Sequence, residues 1–121
     1  MANTARNVHP NALSGYEKAS IPRAKLEDYL LNPAHPVGKH KAKVFESALG
    51  FDQSSWELLE MAIRNELPYN EALSTKDDLY GRRYNVTITI KGPNGSEKEV
   101  ITAWILKTGD DRPSFVTAYL R

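Results

Sequence analysis

The chain has 121 residues, of which 40% are apolar and none is cysteine, and its 16 basic and 15 acidic side chains leave a formal charge of +1. This length suits one domain, and the lack of cysteine excludes disulfides, cysteine-ligated zinc and a cysteine nucleophile. No apolar run approaches the roughly 20 residues of a membrane helix and there is no signal-peptide core, so we expect a cytoplasmic protein without membrane contact.

The near-neutral total conceals a sorting of charge along the chain. Residues 1–50 and residues 79–121 each carry seven basic and four acidic side chains, a net charge of +3, whereas residues 51–78 carry two basic and seven acidic ones, a net charge of −5. A local basic surface is therefore possible on a chain that is almost neutral as a whole.

The N-terminal end shows no hydrophobic period, and we interpret residues 1–19 as an arm without a core of its own, followed by a single domain over residues 20–121. A first helix is predicted to begin near Pro22, since proline suits the first turn, and to end at Asn32-Pro33. Its buried stripe has helical spacing and consists of Leu26, Tyr29 and Leu30.

A second helix is predicted to follow a proline-rich loop and to end at Gly50, which suits a left-handed C-cap. Its buried stripe consists of Ala42, Phe45 and Leu49. Cations crowd its start, namely Lys39, His40, Lys41 and Lys43. Because the start of a helix is the positive end of its dipole, each cation there costs roughly 0.3–1 kcal/mol. Either a bound anion offsets this cost, or the long side chains simply extend into water.

A third helix carries the clearest local signal. Ser54-Ser55-Trp56-Glu57 matches a capping box, in which Ser54 bonds forward and Glu57 reaches back. Apolar side chains then recur on one face, at Trp56, Leu59, Ile63 and Leu67, before Pro68 ends the helix.

Beyond the third helix the hydrophobic period changes from about 3.6 to 2, the period of a strand. Strands are predicted over residues 83–91, 100–106 and 115–120, with a weaker one over 71–74 and a hairpin turn at residues 92–95. Helices followed by strands indicate an α+β fold. We expect about three N-terminal helices packed on one face of a three- to four-stranded antiparallel meander sheet.

The alternation along the strands predicts which side chains face the helices. The inward set is expected to be Tyr84, Val86, Ile88, Ile90, Ile101, Ala103, Ile105, Val116, Ala118 and Leu120. The outward set is then Arg83, Asn85, Thr87, Thr89, Thr102, Trp104, Phe115, Thr117 and Tyr119. Such a face offers hydrogen bonds and stacking surfaces to a single-stranded nucleic acid. Alternatively these residues are present only because they are good strand formers.

The usual phosphate and metal motifs are absent, and no cofactor is expected, but one metal-free reaction needs only residues that are present. Transesterification of RNA requires a base, an acid and cations on the phosphate. His40 is a candidate base or acid, because imidazoles ordinarily titrate near neutrality. The other candidates are Lys41, Thr117 and Tyr119 as catalytic groups, and Lys39, Arg83, Asn85 and Trp104 as substrate-binding groups. Alternatively, His40 only caps or packs its helix.

The run YLLNPAHPVGKHKAKVF, with SSWELLEMAIR, YGRRYNVTITIKGPNG, TAWI and VTAYL, resembles a largely uncharacterised bacterial domain family. That family looks like the C-terminal domains of filamentous-haemagglutinin-type polymorphic toxins, and its layout is similar to the barnase–EndoU–colicin–RelE group of metal-independent ribonucleases. The resemblance implies RNA as substrate and an immunity or inhibitor protein as partner. A non-enzymatic module that binds protein or nucleic acid is the alternative.

Overall fold

The computed structural model describes residues 6–121. It contains one π-helix and two α-helices, Lys25–Leu30, α1 (Lys39–Leu49) and α2 (Trp56–Glu66), and short 3-10 segments at Tyr16–Lys18, Gln53–Ser55 and Leu67–Tyr69. Four strands follow, β1 (Ala72–Asp78), β2 (Gly81–Lys91), β3 (Glu97–Lys107) and β4 (Ser114–Leu120). They form one antiparallel sheet in the order β1-β2-β3-β4, which confirms the predicted α+β fold.

The first helix lies where it was predicted but has π geometry. The Leu31 N–H donates to the Leu26 carbonyl at 2.9 Å, five residues back. Leu26 and Leu30 are buried, and Tyr29 is only half-buried, so its hydroxyl reaches the surface. The helix ends at Leu30, with Leu31 as its C-cap, because Pro33 disfavours helical backbone at Asn32.

Glycines fix both ends of α1. Gly50 adopts the left-handed conformation, with φ of 83°, and its N–H donates to the Glu46 carbonyl at 2.8 Å, which confirms the predicted C-cap. At the other end, Gly38 lies directly against the backbone of Tyr29, and a Cβ there would overlap the Tyr29 carbonyl oxygen. Glycine therefore allows the start of α1 to pack closely on the π-helix.

The cap before α2 differs from the prediction. Asp52, rather than Ser54, is the capping residue: its Oδ1 accepts from the Ser54 N–H at 2.9 Å, and the Asp52 N–H donates to Ser55 Oγ at 2.9 Å. A 3-10 turn at Gln53–Ser55 precedes the α-helix, so the reciprocal pair lies earlier than the Ser54–Glu57 pair that the sequence suggested.

The predicted faces of the sheet are correct for most of β2 and wrong for β3. Val86 and Ile88 are buried as expected. In β3, however, Thr102 pairs with Val86 and Trp104 with Tyr84, so Thr102 and Trp104 face the helices. Because side chains alternate, the predicted inward residues Ile101, Ala103 and Ile105 lie on the outer face.

A bulge in β4 also changes which of its side chains face the helices. The register shifts between Ala103 and Trp104, so that Val116 has no direct partner and Phe115 lies opposite Trp104. Phe115 is buried, contrary to the prediction, and its ring meets the Trp104 ring edge-on with centroids 5.4 Å apart.

The N-terminal segment joins the fold before residue 20. Leu13 and Ala19, in the segment predicted to be an arm without a core of its own, are buried in the core of the domain, and Ser20 forms a parallel bridge with Ser114 at the edge of β4. Residues 1–5 lie outside the described part of the chain. Within residues 6–121, no helix has the length and apolarity needed to cross a bilayer.

Candidate functional site

Three side chains from separate elements meet at the outer edge of β4. Lys41, in the first turn of α1, donates from Nζ to the Tyr29 hydroxyl at 3.3 Å. The same hydroxyl lies 3.5 Å from Thr117 Oγ1 on β4. Lys25 lies nearby and donates from Nζ to the Val116 carbonyl at 3.5 Å. We call Tyr29, Lys41 and Thr117 the tyrosine cluster.

The surroundings of Tyr29 favour its ionised form. The hydrogen bond from Thr117 is the largest of the causes that hold the pKa of the Tyr29 hydroxyl below its ordinary value; burial, next in size, opposes it, and the hydrogen bond and positive charge of Lys41 lower the pKa further. The charge of Lys25 acts in the same direction. A tyrosine in this state gives up its proton more readily than a free phenol, which suits a general acid.

The loop between the π-helix and α1 orders this site, and this explains the local sequence. His35 Nδ1 accepts from the N–H groups of Val37 and Gly38, each at 3.0 Å. The His35 ring meets the Tyr29 ring edge-on, with centroids 5.1 Å apart. The Asn32 side chain accepts from the Ala34 N–H at 2.9 Å, so the Asn-Pro turn is also closed. The loop therefore places Lys41 over Tyr29.

A shallow depression of about 210 Å³ adjoins the cluster. Lys41 and His40 of α1 line it together with Tyr119 of β4, and its apolar lining comes from Val44, Phe45 and Leu120. Four predicted catalytic residues, His40, Lys41, Thr117 and Tyr119, thus lie around the contact between α1 and β4.

The predicted substrate-binding residues are dispersed. Trp104 is 1% exposed, and its Nε1–H donates to Thr102 Oγ1 at 2.8 Å inside the core, so the prediction that it stacks on a ligand at the outer face is wrong. Arg83 and Asn85 are half-buried on β2, and β3 separates them from β4. Their outward placement is confirmed by the pairing of Asn85 with Ala103, but they lie apart from the tyrosine cluster.

Lys39 does not line the small depression; it lines a wider cleft of about 580 Å³ on the other side of His40. His40 lines both this cleft and the small depression, so the two cavities are neighbours across α1. Among the described residues, Lys39, Lys41 and Lys43 make no salt bridge. The start of α1 therefore presents three ammonium groups without an ion-pair partner in the described part of the chain, although the carboxylates of Glu46 and Asp52 line the same cleft as Lys39 and Lys43.

Sequence reasoning missed Tyr29 and His35. Tyr29 has the spacing of the apolar stripe and was assigned to the core. A tyrosine in such a stripe nevertheless carries a hydroxyl group that needs a hydrogen-bond partner. His35 was given no role in the site, although its ring orders the loop before α1. Within residues 6–121, no group of three or more His, Asp or Glu side chains is arranged to hold a metal ion.

Comparisons with curated proteins and with solved structures found no significant match. A family model described as "Domain of unknown function (DUF6883)" matches residues 12–121. The match includes the tyrosine cluster, both cavities and the whole sheet. The chain therefore belongs to the DUF6883 family.

Proposed function

We propose that this protein is a metal-independent ribonuclease, of the kind used by toxin domains, and that it cleaves RNA where α1 meets β4. The observation that carries the proposal is the tyrosine cluster: one hydroxyl with a lowered pKa lies within 3.3 Å of a lysine ammonium and 3.5 Å of a threonine hydroxyl. This position replaces the outer sheet face on which Trp104 was expected to act.

The roles follow from what each group can do to a phosphodiester. Neutral His40 takes the proton of the ribose 2′-hydroxyl, whose oxygen attacks the phosphorus. The bond from phosphorus to the 5′-oxygen breaks, and Tyr29 gives its proton to that leaving oxygen. The products are a 2′,3′-cyclic phosphate and a 5′-hydroxyl, so protons and bonds balance.

Lys41 and Thr117 support this chemistry by charge and hydrogen bonding. The ammonium of Lys41 stabilises negative charge that grows on the phosphate oxygens and then on Tyr29 after it loses its proton. Thr117 contacts the phenol oxygen and donates to its ionised form. Tyr119, 38% exposed, lies at the mouth of the depression and is a hydrogen-bond donor for the phosphate.

The test is cleavage of a labelled RNA in EDTA by purified wild-type protein and by Tyr29→Phe, His40→Ala and Lys41→Ala variants. We expect each substitution to lower the rate by roughly 10²–10⁴-fold, the usual contribution of an acid or base. The matched control is Tyr84→Phe, a tyrosine in β2 outside the site, which should cut like the wild type. Uncut RNA with the wild type, or cleavage that survives Tyr29→Phe and His40→Ala, would overturn the proposal.

A second candidate function, a non-enzymatic binding module, is favoured by the outer face of the sheet. The inner strand β3 places Ile101 and Ala103, both half-buried, on the side opposite the helices, in line with Ile105, which is buried. A one-sided antiparallel sheet ordinarily has polar residues there, so this row is suited to contact with another protein, such as an inhibitor. The same assay separates the candidates, since a binding module forms a saturable complex and leaves RNA intact.

A further inference from the structure

His35 closes the turn before α1 in a way that depends on an unprotonated nitrogen. Its Nδ1 accepts from the N–H groups of Val37 and Gly38, each at 3.0 Å. Asparagine and aspartate are the usual residues for such turns, and this chain uses them elsewhere, at Asn32, Asp52, Asp78 and Asn94. An amide oxygen accepts whatever the pH, whereas an imidazole nitrogen accepts only while it carries no proton. Histidine at this position therefore makes the turn sensitive to protonation.

The two hydrogen bonds fix the tautomer of the neutral His35 ring, since its proton must lie on Nε2 when Nδ1 accepts. Protonation of Nδ1 leaves both backbone donors without their acceptor. Val37 is exposed, so its N–H can turn to solvent, but Gly38 is buried at the N-cap of α1. A buried N–H without an acceptor is costly, so the turn opens rather than retaining it.

The groups around His35 offer an imidazolium no acid partner. The Tyr29 ring faces it from the π-helix, edge-on, with centroids 5.1 Å apart. The start of α1 carries the ammonium groups of Lys39 and Lys41, and the Lys39 N–H donates to the His35 carbonyl at 3.1 Å. Among residues 6–121, no carboxylate forms an ion pair with His35. A positive ring would therefore join the cations at the positive end of α1.

The turn that His35 closes holds both partners of the hydrogen bond between Tyr29 and Lys41. The His35 ring packs against the Tyr29 ring, and Gly38 lies directly against the Tyr29 backbone. Lys41 follows Gly38 by three residues, and its Nζ lies 3.3 Å from the Tyr29 hydroxyl. Opening the turn at Gly38 therefore moves the start of α1, and Lys41 with it, away from Tyr29.

We propose that neutral His35 is the positioning residue of the tyrosine cluster, and that a proton on its Nδ1 opens the turn and separates Lys41 from Tyr29. The proton comes from solvent, to which the half-buried ring is accessible, and the change reverses when the proton leaves. The effect on RNA cleavage rests on the proposed ribonuclease function, whereas the effect on the contact between Tyr29 and Lys41 does not.

The first test reads the tautomer of wild-type His35 from the chemical shifts of its two ring nitrogens in mildly alkaline solution. We expect Nδ1 to have the shift of an unprotonated nitrogen and Nε2 that of a protonated one. A neutral His35 with its proton on Nδ1 would overturn the proposal.

The second test follows the resonances of the Gly38 amide and the Lys41 ε-methylene group while the solution is acidified. It uses a His40→Gln background, because His40 places a second titratable ring next to Lys41 in the chain. We expect both resonances to move in step with the His35 ring, and to stay in place when His35→Asn supplies an oxygen that accepts regardless of pH. Resonances that ignore the titration of His35 would refute the switch.

His9 provides the matched control for this acid response. Its Nδ1 also accepts a backbone N–H, from Asn11 at 2.9 Å, in the N-terminal segment. His9→Asn therefore makes the same chemical change outside the cluster, and the response of Gly38 and Lys41 should keep its wild-type size. If His9→Asn abolishes the response as His35→Asn does, the response does not come from His35 and the proposal fails.

Two substitutions of His35 separate its ring from its acceptor. His35→Phe keeps a ring beside Tyr29 and removes the acceptor, whereas His35→Asn does the reverse. Because Lys41 helps to lower the pKa of the Tyr29 hydroxyl, His35→Phe should raise that pKa, and His35→Asn should leave it close to its wild-type value. RNA cleavage should fall on the order of 10²-fold in His35→Phe and recover in His35→Asn. An unchanged tyrosine titration in His35→Phe would contradict the positioning role.

The two proposals fail separately. If Tyr29 and Lys41 respond to His35 as described but the wild type never cuts RNA, the ribonuclease proposal fails and the role of His35 stands. If the wild type cuts RNA and His35→Phe cuts it equally fast, with an unchanged Tyr29 titration, the role of His35 fails and the ribonuclease proposal stands.

Discussion

Thr102→Val tests the arrangement of β3 that moved Trp104 from the surface to the core. Thr102 is fully buried, and its hydroxyl makes two hydrogen bonds: it donates to the Val86 carbonyl at 2.8 Å and accepts from Trp104 Nε1 at 2.8 Å. Valine has nearly the same shape, so the substitution removes these bonds without opening a cavity. The indole N–H is left without its partner in the apolar interior.

The expected cost follows from that unsatisfied group. A buried donor without a partner costs about 1–3 kcal/mol, and we take about 2 kcal/mol as the expected loss in the free energy of unfolding. In a domain of this size, that loss lowers Tm by roughly 8 °C. The effect should disappear when the donor is also removed, so Thr102→Val should cost at least about 1 kcal/mol less in a Trp104→Phe background.

Urea unfolding followed by tryptophan fluorescence and circular dichroism measures both quantities, provided that the m-value stays constant. The control is Thr87→Val, which makes the same chemical change on the outer face, where Thr87 is half-buried opposite Ile101. It should change the free energy of unfolding by no more than about 0.5 kcal/mol. Equal effects of Thr102→Val and Thr87→Val would refute the burial of Trp104 against the helices.

Four further predictions concern the site. Ultraviolet titration of tyrosinate should reveal a tyrosine with a lowered pKa that Tyr29→Phe removes and Lys41→Met raises; an unchanged titration would contradict the hydrogen bonds of the cluster. Because the folded pKa is depressed, ionised Tyr29 stabilises the fold above its unfolded pKa, and this contribution is lost as pH falls through the folded value, so Tyr29→Phe should cost more stability in alkaline than in neutral solution. Gly38→Ala should lower the free energy of unfolding by about 1–3 kcal/mol, because the added methyl group would overlap the Tyr29 backbone. A wild-type urea midpoint would show that this contact is absent. Induced expression of the wild type in bacteria should slow growth relative to Tyr29→Phe, and equal growth at equal protein levels would count against a toxic ribonuclease.

The helices and β2 were predictable because their signals are local. Gly50 ends α1 by a conformation that other residues resist, and the alternation of Val86 and Ile88 leaves one arrangement for β2. In β3 both faces are largely apolar, so alternation alone cannot distinguish them. Tertiary contacts decide which face of β3 packs on the helices: Thr102 bonds to Trp104 inside the core, and the bulge at Val116 turns Phe115 inward.

The candidate site was predictable in part for the same reason. The crowding of Lys39, His40 and Lys41 at a helix start is visible in the sequence, and the structure places His40 and Lys41 beside β4, with Lys39 at the wider cleft. Tyr29 could not be found from spacing, because its ring contributes to the helix stripe while its hydroxyl bonds to Thr117, 88 residues away in the chain. Such a pairing arises only when the π-helix packs on the edge of the sheet.

The most direct measurement compares one RNA oligonucleotide with its 2′-O-methyl counterpart, incubated in EDTA with wild-type protein and with Tyr29→Phe. We expect the wild type to cut the RNA to fragments ending in a 2′,3′-cyclic phosphate and to leave the 2′-O-methyl strand intact, and we expect Tyr29→Phe to cut the RNA far more slowly. Cleavage of both strands by the wild type, or undiminished RNA cleavage by Tyr29→Phe, would contradict the proposed reaction.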